Sequence, residues 1–178
     1  MRAAPLAVTA LAAALLLTAC DDGGDSSADR ASASPKSGSA CAIGTVDLEV
    51  GPASVAPAAG DTGNIPVTLT NQSAPCTLEG FPAVDLNAAD STTSLPEDKA
   101  AQPQKLTLAK GDTTSFTITY VRGKAGAAGS LDVRTLKIAL PGDGTQKSYK
   151  WSYGPVEGKS GNASDLNASV SGFTQAGD

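Results

Sequence analysis

The sequence predicts an all-β fold, an immunoglobulin-like antiparallel β-sandwich of about seven to eight strands. Two observations predict it: apolar residues recur with a period of two, and turn residues separate the runs at short intervals. A third is that no stretch of the same region carries a convincing amphipathic helical pattern. An all-β barrel is the competing architecture.

In the first run, TVDLEV, residues Val46, Leu48 and Val50 share one face. The second, NIPVTLTN, turns Ile65, Val67 and Leu69 inward and Thr68 and Thr70 outward, and SFTITY repeats the pattern with Phe116, Ile118 and Tyr120. Shorter strands are expected at PAVDLN, with Val84 and Leu86, and at KLTL, with Leu106 and Leu108. Later runs are LDVRTLKIAL, KSYKWSY and DLNASVSGF. In LDVRTLKIAL the apolar parity changes between Val133 and Leu136, which predicts a bulge or a break. Gly60-Asp61, Gly111-Asp112 and Pro141-Gly142-Asp143-Gly144 supply the turns between runs.

The region ahead of the strands has a different character. Met1-Arg2 is a small positive start, Ala3 to Leu17 is almost wholly apolar, and small residues follow at Thr18 and Ala19, the layout of a secretory signal over residues 1–19. A transmembrane helix needs about 20 apolar residues, and this run is shorter and stops at Cys20-Asp21-Asp22. Leu17-Thr18-Ala19-Cys20 also matches the lipobox of bacterial lipoproteins, in which the cysteine is acylated, palmitate being a typical chain, and becomes the first residue. The other reading is ordinary signal cleavage, which leaves a free thiol.

Acylation explains why a chain with three cysteines has one that no intramolecular partner can take. Several acyl chains at about 0.8 kcal/mol per CH₂ hold a protein at a membrane where a single myristoyl chain does not. Asp21 to Ala40 contains no Leu, Ile, Val, Met or aromatic residue, so it has nothing to bury and is expected to be a disordered linker. Its 20 residues have a typical reach of roughly 25 Å. The division is thus a signal at 1–19, a lipidated cysteine and linker at 20–40, and one sandwich domain at 41–178. The expected location is the cell membrane, lipid-anchored and facing outside the cytoplasm.

Cys41 and Cys76 follow from strand pairing. If the strand from Ile43 and the strand ending at Asn71 pair antiparallel, the start of the first lies beside the end of the second, and the two cysteines come together. A disulfide persists outside the cytoplasm and closing this loop contributes roughly 4 kcal/mol in the chain-entropy model. The alternatives are two free thiols or a metal site, and two cysteines without histidine make a poor metal site.

These residues resemble a family. Cys41, the Ala58-Ala59-Gly60 turn, Val67-Thr68-Leu69-Thr70-Asn71 and Cys76-Thr77-Leu78-Glu79-Gly80-Phe81-Pro82 are similar to the actinobacterial domain of unknown function 4232, found on lipoproteins and other exported proteins. Leu106 to Gly111 resembles its Leu-x-Pro-Gly turn, with Lys110 where the family often has proline. The likeness runs from about Cys41 to Tyr120 and thins beyond. It implies a β-sandwich, paired cysteines and an envelope location, and it implies no activity.

Composition removes most chemistry. The chain has no histidine, so Ser-His and Cys-His nucleophile pairs are unavailable. Its one methionine is Met1, which leaves with the signal, and the usual envelope copper sites and most zinc sites go with it. No metal and no cofactor is expected. No Ser-x-x-Lys spacing occurs, and Gly154 to Ser160 is one residue too short for a phosphate loop. Without residues 1–19 the 13 basic residues become 12 against 18 acidic, a balance of −6, which argues against binding nucleic acid.

Glu79, Asp85, Asp90, Glu97 and Asp98 cluster around the long connection 87–105, where two carboxylates would suit sugar hydrolysis or calcium. No calcium-loop spacing is present, and solvated loop acids are the plainer reading. The Asn-x-Ser sequons at Asn71, Asn162 and Asn167 carry little weight in a bacterial chain. KSYKWSY has the one live binding pattern: Tyr149, Trp151 and Tyr153 share a strand face, opposite Ser148, Lys150 and Ser152. Exposed, that ladder is a platform for wall sugars. Inward, it fills a core otherwise poor in large residues, and burying the lysine-bearing face instead would strand a charge. The inward arrangement is expected.

The sequence therefore points to a membrane-anchored, extracytoplasmic lipoprotein, non-enzymatic, binding an envelope protein or cell-wall glycan. The alternatives are a structural spacer without a specific ligand and a carboxylate-only hydrolase.

Overall fold

The computed structural model describes residues 38–54, 58–98 and 100–175. Cys20, the signal segment and most of the linker lie outside the described residues. Among the described residues the elements are a 3-10 turn at Ile43–Thr45 and fourteen strands, and no α-helix is present. In chain order the strands are β1 Val46–Val50, β2 Thr62–Asn71, β3 Cys76–Leu78, β4 Ala83–Asn87, β5 Thr92–Ser94, β6 Leu106–Leu108 and β7 Thr113–Val121. They continue with β8 Ser130–Leu131, β9 Thr135–Ala139, β10 Gln146–Lys150, β11 Val156–Lys159, β12 Asn162–Leu166, β13 Ala168–Val170 and β14 Thr174–Gln175.

One sheet runs β1-β2-β7-β13, with β14 also pairing with β7, and the other runs β10-β9-β4-β5. Two smaller pairings, β12-β11-β8 and β3-β6, close the ends. Every strand pair is antiparallel. The period of two does what period-two patterns do: Leu48, Ile65, Val67, Leu69, Phe116 and Ile118 from one sheet meet Val84, Leu86, Leu136 and Ile138 from the other in one buried cluster. The two sheets keep separate strand orders, so the arrangement is a sandwich and not a barrel.

The strand count exceeds the seven to eight expected because β3, β5, β8, β11 and β14 span only two to four residues. A piece that short shows no periodicity, and backbone pairing alone defines it. The parity change in LDVRTLKIAL is a break: β8 pairs with β11, the chain turns tightly with Val133 N–H on the Leu131 carbonyl, and β9 pairs with β4 and β10.

Two turns share one device. In Ala58-Ala59-Gly60-Asp61 the Asp61 N–H donates to the Ala58 carbonyl at 3.0 Å, and its carboxylate accepts from the Ala58 N–H at 3.0 Å. Ala109-Lys110-Gly111-Asp112 repeats both bonds at 3.1 and 2.9 Å. Gly60 and Gly111 have φ of +95° and +89°, as the third residue of a type II turn requires. Asp143, in the turn between β9 and β10, accepts from the N–H groups of Ile43 at 2.7 Å and Thr145 at 2.9 Å. These bonds hold its carboxyl below the usual range.

Cys41 and Cys76 are joined by a disulfide with their Cα atoms 4.9 Å apart. The geometry behind it is the one strand pairing predicts. Val46 pairs with Asn71, Gln72 N–H donates to the Thr45 carbonyl, and the entering chain lies parallel to β3 through Cys41 N–H on Thr77 O and Thr77 N–H on Ser39 O.

Candidate functional site

Tyr149 lies on β10, and Trp151 and Tyr153 follow it; their rings turn inward toward the first sheet. Trp151 is 5 % exposed, and Tyr149 and Tyr153 are partly buried against the core. The rings therefore do not form an exposed platform for sugars. Burial of three large rings in a core with few others outweighs leaving them on the surface. Each polar tip reaches a carbonyl: Tyr149 OH donates to Leu48 at 2.9 Å, Tyr153 OH to Gly51 at 2.6 Å, and Trp151 Nε1–H to Gly154. Tyr120, from β7, donates to the Tyr153 carbonyl at 3.0 Å, and its ring meets Trp151 edge-on at 5.4 Å. Burial pushes all three tyrosine hydroxyls up, with the Arg122 charge pulling Tyr120 the other way, so they stay protonated donors at neutral pH.

Tyr153 meets a particular need. Gly51 N–H donates to the Pro66 carbonyl at 2.9 Å. Pro66 has no N–H to return, so the ladder leaves the Gly51 carbonyl without a donor. The Tyr153 hydroxyl supplies it. Gly51 is itself constrained, since a Cβ there would sit 3.0 Å from the Pro66 ring.

Beyond Gly51 the edge strand bulges. Ser54 N–H donates to the Asn64 carbonyl at 2.8 Å, so Pro52 and Ala53 together oppose Ile65. The bulge moves the chain outward and opens a cleft of about 470 Å³ between it and the segment after β10. Val50, Gly51, Pro52 and Ala53 form one wall, and Tyr120, Arg122, Ser152 and Tyr153 the other.

Arg122 is well placed in this cleft. Its backbone N–H donates to Asp61 O at 2.9 Å and its carbonyl accepts from Gly60 N–H at 2.7 Å. The guanidinium lies on Gly154, φ +84°, where an added methyl would come 2.9 Å from Nε. The cleft thus combines an apolar rim, a tyrosine ring, a hydroxyl and a cation, with no carboxylate among its lining residues. A second cleft, about 360 Å³, has mixed charge from Glu97, Asp98 and Lys159, and a depression of about 500 Å³ at Ser91–Ser94 has no charged lining residue.

Three of the five loop carboxylates have separate partners. Glu79 pairs with Lys105 at 3.2 Å on the surface. Asp85 accepts from Ser94 Oγ at 2.6 Å and Gln146 Nε2 at 2.9 Å, and Asp98 accepts from Ala100 N–H at 2.9 Å. Asp90 and Glu97 are exposed. Among the described residues no group of three or more cysteine, aspartate or glutamate side chains could hold a metal ion.

Sequence reasoning singled out Tyr153 but not Arg122 or Ser152. Arg122 sits just past a strand end and Ser152 on the polar side of KSYKWSY, and neither position has a local signature. The readable signal was Pro66 inside a strand pattern, which marks a lost ladder bond.

Residues 41–174 match the family model described as Domain of unknown function (DUF4232). The match runs well past Tyr120, where the recognisable motifs thin. No curated protein and no solved structure matches the chain.

Proposed function

The chain belongs to this family, and from that premise we propose that it is an extracytoplasmic lipoprotein of actinobacterial type, held at the membrane by an acylated Cys20, whose sandwich is a non-enzymatic binding module. Its ligand is an envelope protein or a cell-wall glycan, and it takes no nucleic acid and no cofactor. The lipobox Leu17 to Cys20, with the polar linker behind it, supports the anchor. The observation that carries the binding reading is the cleft at Tyr153 and Arg122: it offers recognition groups but no nucleophile with a base beside it. The absence of histidine from the chain supports the same reading against catalysis.

Two measurements test it. Mass spectrometry of the N-terminal peptide is expected to find acylated Cys20, and Cys20→Ser to release the protein from membranes; an unmodified N-terminus elsewhere refutes the anchor. Crosslinking from intact cells is expected to capture a protein or glycan at the cleft. Capture of no partner at the cleft favours the spacer.

A further inference from the structure

We infer that the outer edge of β10 is a docking site for another protein, taking an extended segment of alternating acidic and aliphatic residues as an added strand. This goes beyond the cleft reading, since no residue of Gln146–Lys150 lines the cleft.

The backbone is the first argument. The strand that ends a sheet leaves the N–H and C=O of every second residue unpaired. β10 ends the β10-β9-β4-β5 sheet. Trp151 N–H donates to the Arg134 carbonyl at 2.9 Å, and Tyr149 and Lys147 precede it at alternate positions, opposite Leu136 and Ile138. These residues therefore bond to β9, and the backbone groups of Gln146, Ser148 and Lys150 point away from it. All three residues are exposed, and among the described residues no hydrogen bond reaches those backbone groups.

The remaining edges are less available. Residues 96–98 cover β13, with Val170 N–H on the Pro96 carbonyl at 3.0 Å and Asp98 N–H on the Val170 carbonyl at 2.8 Å. On β1 the Tyr149 hydroxyl takes the Leu48 carbonyl, and the bulge at Pro52 and Ala53 breaks the row. β5 and β14 span only three and two residues, so they present fewer such groups.

Charge selects the partner. Neither β9 nor β10 contains an acidic residue. Lys150 is exposed on the edge itself, and Lys137 stands opposite Ser148 on β9; among the described residues neither forms an ion pair. The acids beside them are already engaged: Asp85, opposite Lys137, accepts from Ser94 and Gln146, and Asp47 pairs with Lys147 at 3.7 Å. β10 against β10 of a second copy would set lysine-bearing strands side by side, which like charge disfavours. An acid opposite Lys150 is favoured instead, and on the alternate face an added strand meets the half-buried Tyr149 ring, which suits an aliphatic residue. The net negative charge of the chain acts against an acidic segment only at long range, where salt at physiological strength screens it beyond about 8 Å.

Three capped peptides test the inference on the isotope-labelled full chain in detergent micelles, read by amide shifts and hydrogen exchange. They are Thr-Glu-Val-Glu-Val-Glu-Thr, its counterpart Thr-Lys-Val-Lys-Val-Lys-Thr, and the acidic peptide with every backbone nitrogen methylated. The acidic peptide is expected to bind saturably and to slow exchange at Gln146, Ser148 and Lys150, with the lysine peptide about tenfold weaker or more and the methylated one silent. Ser148→Pro removes an outward N–H and no bond to β9, and is expected to abolish binding. Lys150→Glu, at an exposed position, is expected to weaken the acidic peptide by about fivefold or more with the melting temperature unchanged, and decides the matter should the proline variant misfold. Equal binding of the acidic and lysine peptides overturns the inference, as does binding of the methylated peptide, protection confined to other strands, or wild-type affinity in Lys150→Glu. Protection of these amides by dimerisation of the chain alone makes a second copy the occupant and also overturns it. Failure of all three peptides overturns it too, and leaves the cleft and its ligand standing.

Discussion

Asn71 holds three chain segments with one side chain. It is fully buried, its Nδ2 donates to the carbonyls of Ala74 and Leu108, both at 3.0 Å, and its Oδ1 accepts from Ser73 N–H at 3.0 Å. That accounts for an asparagine ahead of Cys76 in the family-like stretch and makes this sequon structural. Asn71→Ala leaves three backbone groups short of a partner and is expected to lower stability by about 1–3 kcal/mol. Asn71→Asp turns an acceptor toward two carbonyls, so burial raises its folded pKa. Its penalty is absent below the unfolded aspartate value near 4 and grows as pH rises above it. Denaturant titrations at pH 4 and 7 check both: the aspartate variant is expected to fall below the alanine variant only at pH 7. Trp151, packed edge-on against Tyr120 and Tyr153, is the other residue on which much rests. Trp151→Ala is expected to destabilise by about 3–5 kcal/mol. As the chain has one tryptophan, blue-shifted emission resistant to iodide reads its burial directly.

At the scale of elements, turn chemistry sets the register of long strands. β2 and β7 pair over nine residues, Thr62 to Thr70 against Val121 to Thr113. The Ala-x-Gly-Asp turns lie at the outer ends of this pair, one entering β2 and one entering β7. Lys110 occupies the second position of its turn, where a fixed φ near −65° fits and where the family often has proline. Lys110→Pro is expected to stabilise by about 0.4–1 kcal/mol through the unfolded chain. A rise of about 2–4 °C in melting temperature checks it, and a fall shows that the turn is not of this type. Pro66 acts in the opposite sense: it deletes a ladder bond in β2, and a tyrosine from the segment after β10 donates to the carbonyl left over.

For the whole molecule, the disulfide ties the entry of the domain to the end of the β2–β3 connection, 35 residues apart in sequence. Its reduction is expected to lower the melting temperature by roughly 10 °C, given about 4 kcal/mol of chain entropy on a domain of this size. A Cys41→Ser, Cys76→Ser variant that melts with the oxidised protein refutes that contribution. The inter-sheet hydrogen bonds of Tyr149 and Tyr153 work at the same scale, since each joins the end of the β10 strand to the β1 edge. The Tyr149 bond caps the outward Leu48 carbonyl that another chain would otherwise pair with, whereas the Tyr153 bond serves the Gly51 carbonyl turned toward Pro66.

By itself the sequence determined the fold class, the inward faces of β1, β2, β4, β6 and β7, the cysteine pair and an irregularity between Val133 and Leu136, which the structure shows to be a break and not a bulge. Alternation and turn residues are local, and an antiparallel pairing of neighbouring strands follows from them. It also determined what the chain lacks, histidine above all, and so the chemistry closed to it. The inward turn of the face carrying Tyr149, Trp151 and Tyr153 was also legible, since its opposite face carries a lysine, but only the tertiary structure decided which carbonyls their polar tips reach. Only it decided that Tyr153 serves the carbonyl left by Pro66, 87 positions away. The cleft likewise exists because a bulge after β1, the end of β7 and the segment after β10 converge there, and no spacing within any one of those segments records the meeting.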